Sequence, residues 1–310
     1  MVRVLFDHDI DQAPFSVIFE AVRRHIYADF RGETVSPPRH VAEFGDGGIV
    51  FTIGGSEDAA GFRAYETFPF PKLASEDQIV AAWDRTTRRL MGIAVGERLG
   101  ALRTGALARV AIDCLSAPKV QKLAVIGTGL QAETQIIAAA HVREIQDIAV
   151  FSRNQAGREA FAARMAAKLG REIRAAIGAE DAVSGADVVT LATSSEVPVI
   201  EAGWLEPHAL VITLGPKTKS AHELPLELAD AASIIVSDSP QQIAAMGVDH
   251  MLHGSRAYEN IRHLGDLGVS ATAGSGPALF LSAGLAGTEV AALAAIVSYL
   301  EKVDLRGDKR

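Results

Sequence analysis

The stretch Ile126–Gln135, IGTGLQAETQ, follows the apolar run KLAVIG and opens a segment with helical spacing, QAETQIIAAAH. Gly127, Gly129 and Ala132 form the pattern G-x-G-x-x-A, with Thr128 between the glycines. The first glycine permits a tight turn, the second lets the backbone approach a pyrophosphate, and the small third residue lets helix and strand pack closely. The amides of Leu130, Gln131 and Ala132 then face the phosphates along the helix dipole. An ordinary glycine-rich turn carries the same glycines. A strand before the loop, a helix after it and a second strand, DIAVFSR, supply the context that favours a dinucleotide.

The end of that second strand selects the nucleotide. A carboxylate there, about 20 residues past the loop, holds the ribose 2′-hydroxyl of NAD. This chain has Ser152, Arg153 and Asn154 instead. Ser152 takes the acid's place and Arg153 can meet a 2′-phosphate with a charge-assisted contact, so the expectation is NADP in preference to NAD. The competing view is that Arg153 only solvates the strand end or stacks on adenine without discriminating charge.

Around this unit the alternation continues. KLAVIG, DIAVFSR, REIRAAI, ADVVTLAT, ALVITLG and ASIIVSD are short apolar runs separated by segments of crossover-helix length. That is the pattern of a parallel sheet covered on both faces. The part before it differs. PFSVIFEAVRRHIYADFRG has helical spacing and stops at Gly32, a C-terminal cap, while RHVAEFGDGGIVFTIGG and GFRAYETFPF predict antiparallel strands with tight turns. The segment ALARVAIDCLSAPKV predicts a helix ending near Pro118, and GSGPALFLSAGLAG is read as the opening of the last helix. The expected architecture is α/β: a Rossmann-type domain over 119–275 inserted in an α+β substrate-binding and dimerisation domain over 1–118 plus 276–310.

Bulk properties exclude several functions. The 310 residues, 48% hydrophobic, can bury a large core. A net charge of −8 without a basic stripe argues against a nucleic-acid partner. Cys114 is the sole cysteine, so neither a disulfide framework nor a cysteine metal cage is expected. The N-terminal MVRVLFDHDIDQAPF carries acids where a secretory signal carries a basic patch, and AGLAGTEVAALAAIVSYL is interrupted by Glu289. The expectation is a cytoplasmic protein without a membrane partner. DHDID and DHMLH lack the spacing of a zinc hydrolase, so no metal is expected, and Ser194 and Ser195 lack a nucleophile elbow.

Further motifs point to a family. LGALRTGALARV places Arg103, Thr104 and Gly105 just before a helix. SPPRH, FPFPK, TLATSSEVPVIEAGWLEPHALVITLG and LFLSAGLAGTEVAALAA complete a pattern over almost the whole chain. With IGTGLQAETQ after the R-T-G-A run, the chain resembles the ornithine cyclodeaminase and mu-crystallin family. The resemblance implies a homodimer, a nicotinamide cofactor, and hydride transfer at the α-carbon of a small imino or amino acid. It implies carboxylate binding by Arg39 and Arg103, and cofactor contacts from Arg103, Thr104, Thr193 and Ser194. Arginine suits the first role because its planar fork matches a carboxylate, although surface or ion-paired arginines would look the same in sequence.

Two departures carry information. Arg63, in GFRAY, takes the place of the family's lysine, and Lys217, in LGPKTKSAHELP, takes the place of the aspartate found in ornithine cyclodeaminases. A guanidinium stabilises charge but cannot act as a general acid or base, and a lysine at 217 would repel the side-chain ammonium of ornithine. The resulting expectation is a reductase or amino acid dehydrogenase, with Lys217 or a water supplying the proton and Arg63 stabilising charge. Cyclodeamination or dehydration of an ornithine- or proline-like substrate, and a catalytically silent NADP-dependent binding protein, stand as alternatives.

Overall fold

The computed structural model describes residues 2–69, 78–267 and 276–307. The chain forms two compact units, Met1–Ala106 with Gly284–Arg310, and Leu107–Ala283.

Among the described residues of the first unit six strands form one sheet: β1 (Arg3–Phe6), β2 (His40–Phe44), β3 (Gly47–Gly55), β4 (Ala59–Glu66), β5 (Ile79–Asp84) and β6 (Leu90–Val95), ordered β1-β6-β5-β4-β3-β2. All neighbours are antiparallel except β1 and β6. Side chains alternate between faces along a strand. One face buries Leu5, Val50, Val80, Ala82 and Ala94. The helix Thr288–Gly307 packs on this sheet and against the helix Phe15–Phe30. The expected helix after Pro14 is present, and Gly32 stops it at φ +73, a left-handed position glycine adopts without strain.

Among its described residues the second unit holds eight parallel strands: β7 (Lys122–Ile126), β8 (Asp147–Phe151), β9 (Arg174–Ala175), β10 (Val188–Leu191), β11 (Leu210–Thr213), β12 (Ile234–Ser237), β13 (Arg262–His263) and β14 (Ala278–Leu281). Their order is β13-β12-β14-β11-β10-β7-β8-β9. The near-continuous apolar runs follow from burial on both faces: all four residues of β10, β11 and β14 are buried.

Two expectations are corrected. ALFL, read as the opening of the last helix, is β14, which pairs with β11 and β12 in the middle of the second sheet. The helix starts only at Thr288 and the first unit resumes at Gly284 rather than near 276. Arg103, Thr104 and Gly105 lie within a helix, Arg98–Leu115, and do not precede it. Buried Leu99, Leu102, Ala106 and Leu107 give the segment a continuous helical face that starts a turn earlier than the motif. The FPFPK stretch lies partly outside the described residues. Among the described residues no helix is long and apolar enough to cross a membrane, and no group of three or more His, Cys, Asp or Glu could hold a metal.

Candidate active site

In the first unit the predicted arginines come together. Arg63 and Tyr65 stand two apart on β4 and so share a face. Arg103 comes from the helix Arg98–Leu115 and Glu289 from the first turn of the helix Thr288–Gly307. Oε1 of Glu289 accepts from Nε of Arg103 at 2.8 Å and Nη2 at 2.7 Å, and Nη1 of Arg63 lies 3.3 Å from the same atom. The Arg63 guanidinium also lies 4.1 Å above the Tyr65 ring, and the Tyr65 hydroxyl accepts from Nη1 of Arg39 at 3.4 Å. Gly284 lies beside Arg39 and Arg103. At φ +86, it bears no side chain where a Cβ would stand 3.3 Å from Nη2 of Arg39 and 3.6 Å from Nη2 of Arg103.

The sequence of contacts is thus Arg39, Tyr65, Arg63, Glu289 and Arg103, with Gly284 beside both Arg103 and Arg39. Burial opposes ionisation of Glu289, but Arg103 and then Arg63 outweigh it and hold the carboxyl below its ordinary pKa. Burial pulls the Arg63 pKa down, and the neighbouring Arg103 and Arg39 charges act in the same sense against Glu289. The guanidinium stays cationic regardless. Two of its nitrogens, Nε and Nη2, donate to Oε1 of Gln78 at 3.0 and 2.7 Å. Thr104 is buried and its hydroxyl donates to Gly100 O at 2.9 Å within its own helix.

In the second unit the loop after β7 has the geometry its glycines suggested. Gly127 has φ +124, and a Cβ there would stand 2.2 Å from Ala192 O, so only glycine fits. Gly129 caps the helix Leu130–Ala140 in an extended conformation and has no atom within 4 Å of where a Cβ would be. Ala132 is fully buried in that helix, and the nearby Oε1 of Gln131 is buried without a hydrogen-bond partner. An open backbone at a helix N-terminus, with an orphaned polar atom beside it, fits the pyrophosphate and amide groups of a nicotinamide dinucleotide. Thr128 and Leu130 complete the turn.

At the end of β8, Asn154 caps the helix Gln155–Leu169, its side chain accepting from Gly157 N at 3.0 Å. Ser152 O accepts from Nη1 of Arg158 at 2.9 Å, while Arg153 projects into solvent. No carboxylate stands at this position.

The ends of β10 and β11 are joined by a residue with no sequence signal. Glu223 is fully buried. Its Oε2 accepts from Thr193 N at 2.9 Å and Thr193 Oγ1 at 2.6 Å. Its Oε1 accepts from Thr213 Oγ1 at 2.8 Å, Leu214 N at 3.0 Å and Gly215 N at 2.6 Å. Five donors on one carboxylate satisfy groups that two parallel strand ends would otherwise leave open. Thr193 is therefore fixed by Glu223, whereas Ser194 is exposed. Lys217 follows on the same turn, buried, with Nζ donating to Gly215 O at 2.8 Å. Its main-chain carbonyl accepts from Met251 N at 2.9 Å. Fully buried His250 lies alongside, its pKa lowered to about 4 by burial and by the charges of Lys217 and His253.

The model of the ornithine cyclodeaminase/mu-crystallin family matches residues 13–302. An L-lysine cyclodeaminase of Streptomyces rapamycinicus is 32% identical over 251 residues, covering 74% of this chain and 71% of that protein. A Rhizobium meliloti protein provisionally described as a dehydrogenase is 36% identical over 149 residues, 48% of this chain and 45% of its own length. The chain thus spans less than half of that relative. The solved structure of a Thermococcus litoralis Δ1-pyrroline-2-carboxylate reductase with NADH and L-proline superposes with a TM-score of 0.85 at 23% identity, covering 98% of each chain.

Proposed function

The chain belongs to the ornithine cyclodeaminase/mu-crystallin family, and from that premise we propose that it is an NAD(P)-dependent oxidoreductase acting at the α-carbon of a small imino or amino acid. The observation that carries this reading is the meeting of the Arg39 and Arg103 guanidiniums at Gly284. Two guanidiniums side by side, with a glycine that places no side chain between them, suit an α-carboxylate. The glycine loop of the second unit holds the dinucleotide, which when bound supplies or takes up a hydride. In the reducing direction the α-carbon gains that hydride, the nitrogen gains a proton, and an imine becomes an amine. The arginines orient the carboxylate and so fix the carbon to which it is attached. Lys217, or a water, supplies the proton. Arg63 stabilises charge without transferring one.

NADP is favoured over NAD in this reading because Ser152 and Arg153 replace the carboxylate that would repel a 2′-phosphate. The protein works as a homodimer. On the sheet face opposite the helix Thr288–Gly307, Val4, Phe6, Ile53, Ile79 and Trp83 are exposed apolar side chains, and Phe62 links Phe51 to Trp83 in an aromatic row with centroids 6.0 Å apart at each step. A second copy covering this face would remove it from water.

Ornithine cyclisation is disfavoured. The carboxylate among the arginines, Glu289, is engaged by Arg63 and Arg103, and Lys217 replaces an acid. The test is oxidation of NADPH and NADH by the purified protein with a panel of cyclic and acyclic α-imino acids, followed in absorbance, for the parent and for Lys217→Met. Turnover is expected with at least one imino acid and should fall roughly 100-fold in the variant, the range for loss of a general acid. Absence of nicotinamide oxidation with every imino acid, together with ammonia and proline release from ornithine, would favour the lyase instead.

A further inference from the structure

We propose that Arg158, rather than Arg153 alone, receives the ribose 2′-phosphate of the cofactor and is the residue that discriminates NADP from NAD. The inference rests on the reading that the glycine loop holds a nicotinamide dinucleotide. It goes further by giving the discriminating charge to a buried arginine that stands apart from the strand-end residues read in the sequence.

The first ground is position. In a Rossmann-type unit the end of the second strand meets the 2′ position of the adenine ribose, and here that end is Ser152. Arg158 lies one turn into the helix Gln155–Leu169, and its side chain folds back to the strand. Nη1 donates to Ser152 O at 2.9 Å, and Cζ lies 5.2 Å from the centroid of the Phe151 ring. Both contacts are to the last residues around the strand end, so the guanidinium is held where the ribose is expected.

The second ground is charge. Arg158 is only 9% exposed, yet its side-chain contacts among the described residues are a carbonyl oxygen and an aromatic ring, neither of them an anion. A buried cation without a carboxylate partner is uncommon and costly by itself. Its Nε is enclosed without an acceptor, whereas Nη2 is neither enclosed nor hydrogen-bonded and is the open donor of the fork. A 2′-hydroxyl offers such a fork a neutral acceptor. A 2′-phosphate offers charged oxygens and a counter-ion.

The helix acts in the same sense. Asn154 takes the amide of Gly157, while those of Gln155 and Ala156 head the helix without an intrahelical acceptor, at the positive end of its dipole. Arg153 also adds positive charge, but it is exposed, so its attraction to a phosphate is screened by salt. Arg158 is preorganised by Ser152 and Phe151 and loses less freedom on binding.

The experiment is a calorimetric titration of the parent, Arg158→Met, Arg158→Lys and Arg153→Met with 2′,5′-ADP and with 5′-AMP, two probes that differ in the 2′-phosphate alone. The parent should bind 2′,5′-ADP roughly 10- to 100-fold more tightly, the range for one charge-assisted contact. In Arg158→Met the ratio should fall to about threefold or less, with 5′-AMP affinity within about twofold of the parent's. Arg158→Lys keeps the charge without the fork and should retain part of the ratio. In Arg153→Met the larger part should remain at about 0.5 M NaCl, where an exposed contact is screened.

A ratio that survives in Arg158→Met, or one that vanishes in Arg153→Met at that salt, overturns the inference. Equal weakening of both probes in Arg158→Met also overturns it, because the arginine would then only support the strand end. If the Met variant does not fold, the Lys variant decides: a reduced ratio with parental 5′-AMP affinity supports the inference, and a parental ratio overturns it. Equal binding of both probes by the parent overturns the inference and leaves an NAD-dependent oxidoreductase standing. Binding of neither probe, with NADP⁺ and NAD⁺ also unbound, overturns the dinucleotide reading as well.

Discussion

The Glu289 carboxylate and the Arg103 guanidinium form a two-point ion pair in the interior of the first unit, Nε and Nη2 of the arginine meeting one oxygen at 2.8 and 2.7 Å. They are 186 residues apart in sequence. The same oxygen is shared with Arg63, so one acid sets the direction of two cations. Its second oxygen accepts from the Thr288 hydroxyl at 3.1 Å.

Glu289→Gln should therefore be costly. Removing the counter-charge leaves two buried guanidiniums facing each other across a neutral amide, a loss of about 3 kcal/mol when a buried pair is broken. A lower denaturation midpoint, together with a kcat/KM reduced on the best imino acid, is the expected outcome. Unaltered thermal stability would show that the pair contributes nothing to the fold.

Much of the nucleotide unit could be read from residue order, because each of its signals is local. The glycine loop needs φ +124 at Gly127 and open space at Gly129, and the spacing of the glycines announces both, although the atom that excludes a side chain at Gly127 is the distant Ala192 O. Arg39, Arg63 and Arg103 were identifiable because arginine fits a carboxylate and because they lie in motifs. Glu289 was visible only as an interruption of an apolar run, since its partners arrive from distant segments. Glu223 is one of two acids in SAHELPLE, and nothing in its neighbours indicates that two strand ends converge on it. β14 was misread for a related reason: four apolar residues flanked by Gly and Ser have the same periodicity in a buried strand as in a helix.

Cofactor choice depends on the end of β8. Exposed Arg153 and the absence of an acid at Ser152 should give the parent roughly a 10- to 100-fold preference for NADPH over NADH. Arg153→Asp should reverse the order. Fluorescence titration with both nucleotides measures it, and equal affinities in the parent would remove this role for Arg153.

Glu223→Gln replaces one acceptor oxygen with an amide nitrogen that faces backbone donors. Unsatisfied buried donors cost about 1 to 3 kcal/mol each. The ends of β10 and β11, which carry Thr193 and Gly215, should loosen, so nucleotide affinity and the melting temperature should fall together. A variant with lower stability but parental nucleotide affinity would confine Glu223 to the fold.

Acid stability should reflect His250. Burial and the neighbouring Lys217 and His253 charges lower its pKa from 6.5 to about 4, so the unfolded chain binds a proton there before the folded one does. Stability from this group is complete above pH 6.5 and is lost as pH falls toward about 4, amounting to about 3 kcal/mol when complete. Buried His25, whose pKa is lowered by burial, acts in the same direction. Urea denaturation from pH 7 to pH 4 should show this slope, and His250→Phe should flatten it.

Isotope transfer tests the proposed chemistry most directly. The protein is incubated with NADPH dideuterated at nicotinamide C4 and its best imino acid, and the amino acid formed is analysed by mass spectrometry. One deuterium at the α-carbon for each nicotinamide oxidised is the expected result. A product without label, or ammonia release with no net oxidation of the cofactor, would contradict hydride transfer as the net reaction.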